Sequence, residues 1–207
     1  MVQKEPRPRR GRPRAYDPQQ ALADARDTFW RQGYSGTSLD DLSAATGMNR
    51  PSLYAAFGDK RALYLCAMDR YIAAGELAME TALAADMPLE QSLMRVYDLA
   101  LEMYFPSNDD AHGCFLIGTS LAEAMNDAEV REKLGQGLKS FDDAFERRFR
   151  RAHKQGEIPA LTKPAVLAKL ASAILHTLAL RSRAGDARAA LRLTAVAGAK
   201  MICAGAG

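Results

Sequence analysis

Apolar residues recur along most of the chain at the three- and four-residue spacing of amphipathic helices. Near the N-terminus, Leu22, Ala25 and Phe29 fall on one helical face, with Trp30 beside them. No segment alternates apolar and polar positions over a useful length, so no β-sheet is expected. The pattern predicts an all-α protein of about nine helices.

Capping residues, prolines and glycines indicate where the predicted helices begin and end. Asp17 and Pro18 begin the first helix, because Asp caps a helix and Pro fits its first turn. Gly33 ends this helix, since Gly readily adopts the left-handed conformation that follows a last turn. The same signals place the later helices at residues 37–47, 49–58, 59–84, 88–106, 113–124, 127–153, 162–183 and 186–207.

Charge is unevenly distributed along the chain. Residues 1–14 carry six basic side chains and one acidic side chain, a net charge of +5, whereas the whole chain carries only +3. The rest of the chain therefore has a net charge of −2. Three prolines and a glycine prevent the basic segment from forming a helix. We expect residues 1–16 to be a flexible basic arm that binds a polyanion.

Composition excludes several classes of protein. Apolar residues make up 48% of the chain and charged residues 26%, as in globular proteins rather than disordered or fibrous ones. No apolar run reaches the roughly 18 residues of a membrane helix. The basic start is not followed by the apolar stretch of a secretory signal. We therefore expect a cytoplasmic protein without a membrane partner.

The cysteines and histidines indicate neither a disulfide framework nor a metal site. Cys66, Cys114 and Cys203 are far apart and form no CxxC pair. His112 and Cys114 are a close pair of potential ligands, but a zinc site needs three or four. The chain also has no GxSxG, HExxH, P-loop or dinucleotide-binding motif. We predict that it is not an enzyme and uses no cofactor or metal.

Residues 37–60, TSLDDLSAATGMNRPSLYAAFGDK, contain two short predicted helices that meet at a tight turn around Gly47. Leu42, Met48 and Leu53 provide apolar contacts between these two helices. Such a helix-turn-helix presents its second helix to the major groove of DNA. Ordinary helical hairpins share the pattern, so the pattern alone leaves a DNA-binding unit and a simple hairpin equally open.

The segment 17–65 resembles the N-terminal domain of the TetR family of bacterial repressors, and the GRPR of the arm is similar to arms in that family. The matching positions agree in helix length, turn and spacing, and they are Phe29, Gly33, Thr37, Leu39, Leu42, Gly47, Leu53, Tyr54, Phe57 and Lys60. The resemblance implies a DNA-binding domain at residues 17–62 and a ligand-binding and dimerisation domain at residues 63–207. It further implies a transcriptional repressor that a small-molecule effector releases from a palindromic operator.

Residue chemistry and the resemblance together suggest the DNA contacts. Arg50 leads the predicted recognition helix, and its planar guanidinium suits guanine O6 and N7, so we expect it to read bases. Asn49 either contacts DNA or only caps the helix. The arm arginines are expected in the adjacent minor groove, unless they are simply solvated. The predicted DNA contacts are Arg9, Arg10, Arg12, Arg14, Thr37, Ser38, Asn49, Arg50, Pro51, Ser52, Tyr54 and Lys60.

Two positions depart from the family pattern. Ser43 stands where the family usually has Ala, which is a minor change. Ala55 and Ala56 follow Tyr54, where the family commonly has His or an aromatic residue. These alanines remove a possible contact and put in doubt which side chains other than Arg50 read the sequence.

The resemblance also implies that two copies pair through a four-helix bundle built from the last two helices. The predicted interface residues form the apolar stripes of those helices, and they are Leu167, Leu170, Ile174, Leu178, Leu191, Ala195 and Met201. The alternative is that these stripes pack only within one subunit. A homodimer matches the two-fold symmetry of a palindromic operator.

Methionine and aromatic residues of the middle helices suit an adaptable apolar pocket for the effector. The candidate lining residues are Tyr71, Met94, Tyr97, Met103, Tyr104, Phe105, Cys114, Phe115, Met125, Phe141 and His176. For any one of them, ordinary core packing is the favoured role. Two other functions remain open, namely a helical adaptor that binds protein and a redox-responsive regulator that acts through Cys114.

Overall fold

The computed structural model describes residues 16–106, 111–159, 161 and 163–204. The elements in chain order are α1 (Pro18–Gly36), α2 (Leu39–Thr46), α3 (Arg50–Phe57), α4 (Lys60–Ala84), α5 (Leu89–Tyr104), α6 (Phe115–Ser120), a 3₁₀ turn (Glu123–Met125), α7 (Ala128–Gln155), α8 (Pro164–Arg183) and α9 (Arg188–Ala204). Within these described ranges there is no strand, which confirms the predicted all-α fold.

Side-chain caps begin the early helices where the sequence predicted them. The side-chain oxygens of Asp17, Asn49 and Asp59 each accept a backbone N–H from the first turn of the helix that follows, at 2.8–2.9 Å. Gly47 follows α2 with a φ of 65°, the left-handed conformation that glycine adopts most easily. These local signals mark where α2 and α3 begin and end.

Other predicted boundaries differ from the structure. Gly33 has a φ of 76° and kinks α1, which then continues for one more turn instead of ending. The predicted helix 113–124 is shorter, because α6 stops at Ser120 and a 3₁₀ turn follows. Asp186 does not cap α9, since its carboxylate instead accepts a hydrogen bond from Arg181 Nη1 at 3.1 Å. Thr162, the predicted cap of α8, lies outside the described residues.

Helices α1, α2 and α3 pack together at the N-terminal end of α4, and we call these three helices the head. Phe29, Leu42, Met48 and Leu53 are buried there, together with Tyr64 of α4. Phe29, Leu42 and Leu53 lie on the helix faces that the periodicity predicted to be apolar, and Met48 lies in the turn between α2 and α3. Burial of such a face provides most of the stability that short helices lack on their own.

Helices α4–α9 form the remainder of the structure, which we call the body. Helix α7 packs against both α4 and α8, and α5 packs against α9. Arg148 of α7 is buried, and its guanidinium donates to the Glu157 carboxylate at 2.9 and 3.1 Å and to Met87 O at 3.0 Å. This ion pair holds the pKa of Glu157 below its usual range. The pair ties the α4–α5 connection to the end of α7.

The head packs on the first turns of α4, and polar contacts hold this junction to the rest of the body. Arg61, at the start of α4, donates to both carboxylate oxygens of Asp127, at 2.5 and 2.9 Å, and to Glu129 at 2.8 Å. Trp30 Nε1 of α1 donates to His112 O at 3.1 Å. A shift of α1 or of the start of α4 therefore disturbs contacts with the body.

Helix α8 is long and apolar enough, by length and composition alone, to cross a membrane, with a mean hydropathy of 1.3. Its residues Leu167, Ala171, Leu175 and Leu178 are nevertheless buried in the body. A core helix passes the same test, and α8 packs between α7 and α9 as a core helix does. The composition of α8 therefore reflects its position in the fold.

Candidate nucleic-acid interface and interior cavity

Helix α3 has one buried face and one exposed face. Leu53 is buried against the rest of the head, whereas Pro51 and Ala55 are exposed and Tyr54 is 48% exposed. Asn49 Oδ1 accepts the Ser52 N–H at 2.9 Å, so the amide oxygen of Asn49 caps the helix. The exposed face of α3 is thus free to enter a groove, and its side chains are those that the sequence nominated.

Arg50 makes a contact that the sequence did not predict. Its Nε donates to Asp40 Oδ1 at 3.0 Å and its Nη2 to Asp40 Oδ2 at 2.6 Å, in a fork-to-fork pair between α2 and α3. Both side chains are more than half exposed, so the pair lies in water, where such pairs are weak. Guanine would need the same two edges of the guanidinium, so DNA and Asp40 compete for Arg50.

The hydroxyls at the start of α2 are already engaged. Thr37, a predicted DNA contact, is buried, and its Oγ1 donates to Gly33 O at 2.7 Å, so this hydroxyl is engaged within the head. Ser38 Oγ donates to Asp41 Oδ2 at 2.6 Å and accepts the Asp41 N–H at 3.1 Å. Asp41 in turn accepts the Ser38 N–H at 2.8 Å, which completes a reciprocal capping box.

Lys60 lies against the head rather than projecting freely from the start of α4. Its Nζ is 4.3 Å from the centre of the Tyr34 ring, and burial lowers the pKa of this ammonium group. A phosphate contact would require Lys60 to leave this cation–π position. The predicted contacts of Arg9, Arg10, Arg12 and Arg14 lie outside the described residues.

A cavity of about 510 Å³ lies inside the body and reaches the last turns of α1. Its walls come from α1, α4, α5, α7 and α8 and from the residue that precedes α6. The lining residues are Arg26, Trp30, Arg70, Tyr71, Ala74, Gly75, Ala78, Met79, Ala82, Val96, Leu99, Ala100, Met103, Tyr104, Cys114, Phe141 and Leu175. Its volume and apolar walls are typical of a small-molecule site.

Five of the residues nominated for a pocket line this cavity, namely Tyr71, Met103, Tyr104, Cys114 and Phe141. The sequence missed Trp30 and Arg26, because both belong to α1, which sequence reasoning assigned to the DNA-binding domain. It also missed the small residues Ala74, Gly75 and Ala78, which leave room for the cavity. No sequence signal marks a small residue as a cavity wall rather than a helix contact.

The other nominated residues do not line the cavity. Met125 is 79% exposed in the 3₁₀ turn, so its assignment to an interior pocket is wrong. Tyr97 is buried elsewhere and donates to Ala171 O at 3.2 Å. Phe115 packs its ring against Trp30 in the core. The remaining residues are partly buried on other surfaces of their helices, and they are Met94, Phe105 and His176.

Tyr71 and Cys114 are in contact within the cavity wall. Tyr71 Oη donates to Cys114 Sγ at 3.3 Å, and both residues are buried. Burial raises the pKa of the Tyr71 hydroxyl well above its usual range, and it also raises the pKa of the Cys114 thiol. Both groups are therefore neutral at pH 7. Among the described residues, no group of three or more potential metal ligands occurs.

The nominated dimer residues divide into two sets. Leu167, Leu178, Leu191 and Ala195 are buried within the single chain, so the prediction that they form an intersubunit surface is corrected: they belong to the core of the body. The second set faces outward on α8 and α9: Leu170 is 50% exposed, Met201 is 76% exposed, and Ile174 is partly buried.

Helices α8 and α9 also form an apolar groove of about 630 Å³. Leu170, Ile174 and Met201 line it, beside Thr194 and Gly198. A Cβ atom added at Gly198 would lie 2.4 Å from Ile174 Cδ1, so glycine at this position permits the close approach of the two helices. The groove leaves apolar surface uncovered on the two helices that the sequence associated with dimerisation.

Two family models match the chain. The model described as bacterial regulatory proteins of the TetR family matches residues 21–66, and the model described as tetracyclin repressor-like C-terminal domain matches residues 90–197. The first covers the head and the start of α4, and the second covers most of the body.

Relatives and solved structures agree with these models. The transcriptional repressor ComR of Escherichia coli is 30% identical over 176 residues, which are 85% of this chain and 84% of ComR. The repressor BdcR of Escherichia coli is 32% identical over 107 residues, which are 52% of this chain and 54% of BdcR. The TetR family regulator CifR, solved with 26-base-pair double-strand operator DNA, is 27% identical, with a TM-score of 0.83 over 91% of this chain and 98% of CifR.

Sequence, fold and head geometry thus agree on a DNA-binding regulator and not an enzyme, as predicted. Both domains of this chain match their models, and ComR matches it over most of its length. The chain therefore belongs to the TetR family of bacterial regulatory proteins.

Proposed function

We propose that this protein is a cytoplasmic repressor that binds a palindromic operator as a homodimer and is released when a small molecule occupies the interior cavity. The observation that carries the proposal is the position of Trp30, because this residue of the head lines a cavity of the body. A ligand in the cavity therefore contacts the helix that orients α2 and α3. The repressors ComR and BdcR among the relatives support the direction of regulation.

Contacts around Trp30 supply a path from the cavity to the head. Trp30 Nε1 donates to His112 O at 3.1 Å, and Arg183 Nη1 of α8 donates to Trp30 O at 3.3 Å. Phe29, the neighbour of Trp30, packs edge-on against Tyr64 of α4, with ring centres 5.2 Å apart. A ligand that displaces Trp30 alters the contacts that fix α1 on the body. Release then requires only that the ligand binds the displaced arrangement more tightly than the DNA-binding one.

On DNA, Arg50 exchanges its contact with Asp40 for a base edge in the major groove. Because the pair with Asp40 is exposed, this exchange does not require a buried charge to lose its partner. Tyr54, Ser52 and Lys60 provide phosphate contacts at the edges of the exposed face. Residues 15–207 together carry a net charge of −2, so the basic arm supplies most of the long-range attraction to DNA.

A second copy of the chain is the occupant that we propose for the α8–α9 groove. Leu170, Ile174 and Met201 of one subunit would cover the same residues of the other, as two-fold symmetry requires. The apolar walls of the groove support this proposal. Two heads on one dimer then meet two half-sites about 34–36 Å apart, or a multiple of that spacing.

Operator binding with and without candidate effectors tests the release mechanism. The full-length protein would be titrated against its operator by fluorescence anisotropy, and a releasing effector is expected to weaken binding by about 5- to 150-fold. In Trp30→Phe the effector should still bind, yet release less, because the indole N–H that contacts His112 O is gone. Operator affinity that stays constant with a ligand bound in the cavity would overturn the proposal.

The arm and the adaptor alternative are tested by one salt titration. Deletion of residues 1–14 is expected to weaken binding to every duplex and to flatten the dependence of affinity on salt. A variant with the same six basic residues changed to Gln keeps the length of the arm and should behave like the deletion. A helical adaptor would show no duplex binding and hence no salt dependence.

Redox control through Cys114 is the other alternative. Cys114 lines the cavity, but burial raises the pKa of its thiol, and a reactive cysteine needs the thiolate. We therefore expect peroxide at pH 7 to leave operator binding unchanged under conditions that oxidise the exposed Cys66. Peroxide release that Cys114→Ser abolishes would favour the redox alternative instead.

A further inference from the structure

Three polar groups gather in the wall of the interior cavity: the hydroxyls of Tyr71 and Tyr104 and the thiol of Cys114. All three residues line the cavity, and all three are buried. Tyr71 Oη donates to Cys114 Sγ at 3.3 Å. Burial, and then the neighbouring Cys114 thiol, raise the pKa of the Tyr104 hydroxyl. The remaining walls are chiefly apolar, so these three groups form a small polar region in a largely apolar cavity.

Tyr104 differs from the other buried tyrosines in its hydrogen bonding. Tyr97 donates to Ala171 O at 3.2 Å, Tyr64 shares a hydrogen bond of 2.8 Å with Thr119 Oγ1, and Tyr71 donates to Cys114. The Tyr104 hydroxyl forms no such hydrogen bond with the other described residues, and Tyr104 lines the cavity. Its O–H is therefore available to donate to a group that enters the cavity.

We propose that the effector is a small, largely apolar molecule with an uncharged oxygen acceptor, such as a ketone carbonyl, and that the Tyr104 hydroxyl donates to this oxygen. The inference rests on the proposed function in taking the interior cavity as the effector site. The apolar body of the molecule would contact Met79, Val96 and Phe141, and its oxygen would lie beside Tyr71 and Tyr104.

Electrostatics favours a neutral acceptor over a carboxylate at this spot. Burial raises the pKa of both tyrosines, so each hydroxyl keeps its proton and remains a donor. No cationic side chain contributes to the electrostatics of Tyr71, Tyr104 or Cys114 in the described structure. A carboxylate beside them would be a buried charge without a counter-ion, which is strongly unfavourable.

Two arginines line the cavity, and each already has a hydrogen-bond partner. Arg26 forms an ion pair with Asp27 through two hydrogen bonds of 2.8 and 2.6 Å. Arg70 donates from Nη1 to the backbone and side-chain oxygens of Gln19. An anionic effector at Arg26 would compete with Asp27, whereas at Arg70 it would meet the Nε and Nη2 groups, which Gln19 does not occupy. Anion binding at Arg70 is therefore the competing outcome, and the experiment includes a probe for it.

Trp30 provides the readout, because it is the only tryptophan in the chain and it lines the cavity. Its ring meets that of Tyr71 edge-on, with centres 5.5 Å apart. The probes are propiophenone and n-propylbenzene, which differ only by a carbonyl in place of a methylene. A third probe, 3-phenylpropanoate, carries a carboxylate. Each is titrated into the full-length protein, and quenching of Trp30 gives its Kd, with calorimetry as an independent measure.

The test compares wild type with Tyr104→Phe, and Tyr97→Phe is the matched control. For each protein, the Kd of propylbenzene is divided by the Kd of propiophenone. The two probes differ in hydrophobicity by the same amount in every protein, so a change in this ratio between proteins reports the contact with the carbonyl. We expect this ratio to fall about tenfold in Tyr104→Phe, as for loss of one hydrogen bond to a buried partner. Tyr97→Phe should keep the wild-type ratio, because its hydroxyl bonds to Ala171 O outside the cavity.

Three outcomes would overturn the inference: a ratio that Tyr104→Phe leaves unchanged, no binding of propiophenone to wild type, or tightest binding by 3-phenylpropanoate that Arg70→Ala abolishes. Operator affinity measured with the same probes separates this inference from the proposed function. If wild type and Tyr104→Phe both bind propylbenzene as tightly as propiophenone and the operator is still released, the proposed repressor function stands and the role of Tyr104 fails. If propiophenone binding depends on Tyr104 but the operator is not released, the role of Tyr104 stands and release by a ligand in the cavity is refuted.

Discussion

The pair between Asp40 and Arg50 places an acidic residue next to the side chain most suited to reading a base. Its two hydrogen bonds, of 3.0 and 2.6 Å, occupy the edges of the guanidinium that guanine would use. The pair holds Arg50 in one orientation in the free protein and adds a negative charge near the DNA phosphates. We therefore expect Asp40 to lower affinity for every duplex, and to lower it most where Arg50 has a guanine to contact.

Removal of this acid should strengthen DNA binding. We expect Asp40→Ala to raise operator affinity about threefold to tenfold, because one unfavourable charge and one competitor for Arg50 disappear together. Arg50→Ala should lower operator affinity and relax sequence preference. Fluorescence anisotropy on operator and scrambled duplexes measures both effects. Asp86→Ala, which removes the same charge from the α4–α5 connection, is the control and should leave affinity unchanged.

A double-mutant cycle then separates competition from plain charge repulsion. If Asp40 acts partly through Arg50, the gain from Asp40→Ala should be smaller in the Arg50→Ala background than in wild type. An equal gain in both backgrounds would mean that the pair has no influence on base reading. In that case Asp40 acts only through its charge.

Asp127 links the acid stability of the protein to the contact between head and body. Hydrogen bonds from Arg61 hold the pKa of its carboxyl well below the usual range, and the same carboxylate caps α7. A carboxyl with a lowered pKa in the folded state contributes stability above its unfolded pKa of about 4 and loses it as the pH falls. The contribution is thus full at pH 7 and declines below about pH 4.

Asp127→Asn keeps a capping oxygen but cannot form the ion pair. We expect the variant to be less stable than wild type at pH 7, with the gap narrowing as the pH falls to 3, because the unfolded wild-type chain then takes up a proton while the folded carboxylate stays paired with Arg61. Urea unfolding at pH 7, 5 and 3 gives the free energies. Asp86→Asn should track wild type at each pH, and a constant gap between Asp127→Asn and wild type would contradict the assignment.

At the scale of the elements, close approaches between helices depend on particular small residues. In α7, a Cβ atom added at Gly137 would lie 2.5 Å from Leu116 Cδ2 of α6 and 3.1 Å from Ile72 Cγ1 of α4. Gly135, one half-turn away in the same helix, is exposed, and a Cβ atom there would meet nothing within 4 Å. Adding a methyl group at these two positions is therefore expected to have opposite effects on stability, although both glycines lie inside one helix.

This pair gives a test with an internal control. Gly137→Ala should destabilise the fold by about 1–3 kcal/mol, because the added methyl overpacks the junction of α4, α6 and α7. Gly135→Ala should stabilise it by about 0.5–1 kcal/mol through helix propensity alone. Thermal or urea unfolding of the two variants measures both effects. Equal effects of the two substitutions would show that the α6–α7 approach is looser than the structure indicates.

At the scale of the whole molecule, the cavity and the groove on α8 and α9 lie on different surfaces of the body. The cavity is lined mainly by α1, α4 and α5, with Phe141 of α7 and Leu175 of α8, whereas the groove is formed by α8 and α9, and the two sites share no lining residue. A ligand can therefore enter one site while a second copy of the chain covers the other. This separation allows effector binding to change the orientation of the heads without dissociation of the dimer.

Charged substitutions in the groove should separate the two functions. We expect Leu170→Glu with Met201→Glu to convert a dimer into monomers, because four carboxylates would meet across the two-fold axis. Leu77→Glu, a substitution of an exposed leucine on α4, is the control and should remain dimeric. Analytical ultracentrifugation gives the mass, and Trp30 quenching by propiophenone should persist in the monomer. A dimer that survives both charges would place the interface elsewhere.

The sequence by itself determined the features that depend on neighbours along the chain. Asp17, Asn49 and Asp59 cap helices where they were predicted, because capping is settled within one turn. Helical periodicity identified the buried face of the head, with Leu42 and Leu53 inward. The family resemblance of residues 17–65 followed from the same local spacing, since a helix-turn-helix is built from residues close in sequence.

Only the tertiary structure decided which neighbour covers each face. Periodicity assigned Leu178 and Met201 to equivalent apolar stripes, yet one is buried in the body and the other is exposed. Residue type alone placed Met125 in the effector pocket and left Trp30 out. A cavity is made by helices that are distant in sequence, so residue type does not identify its walls. The spacing of apolar residues along one helix specifies which face of that helix is apolar. The packing of all the other helices decides whether that face meets the core, a cavity or solvent.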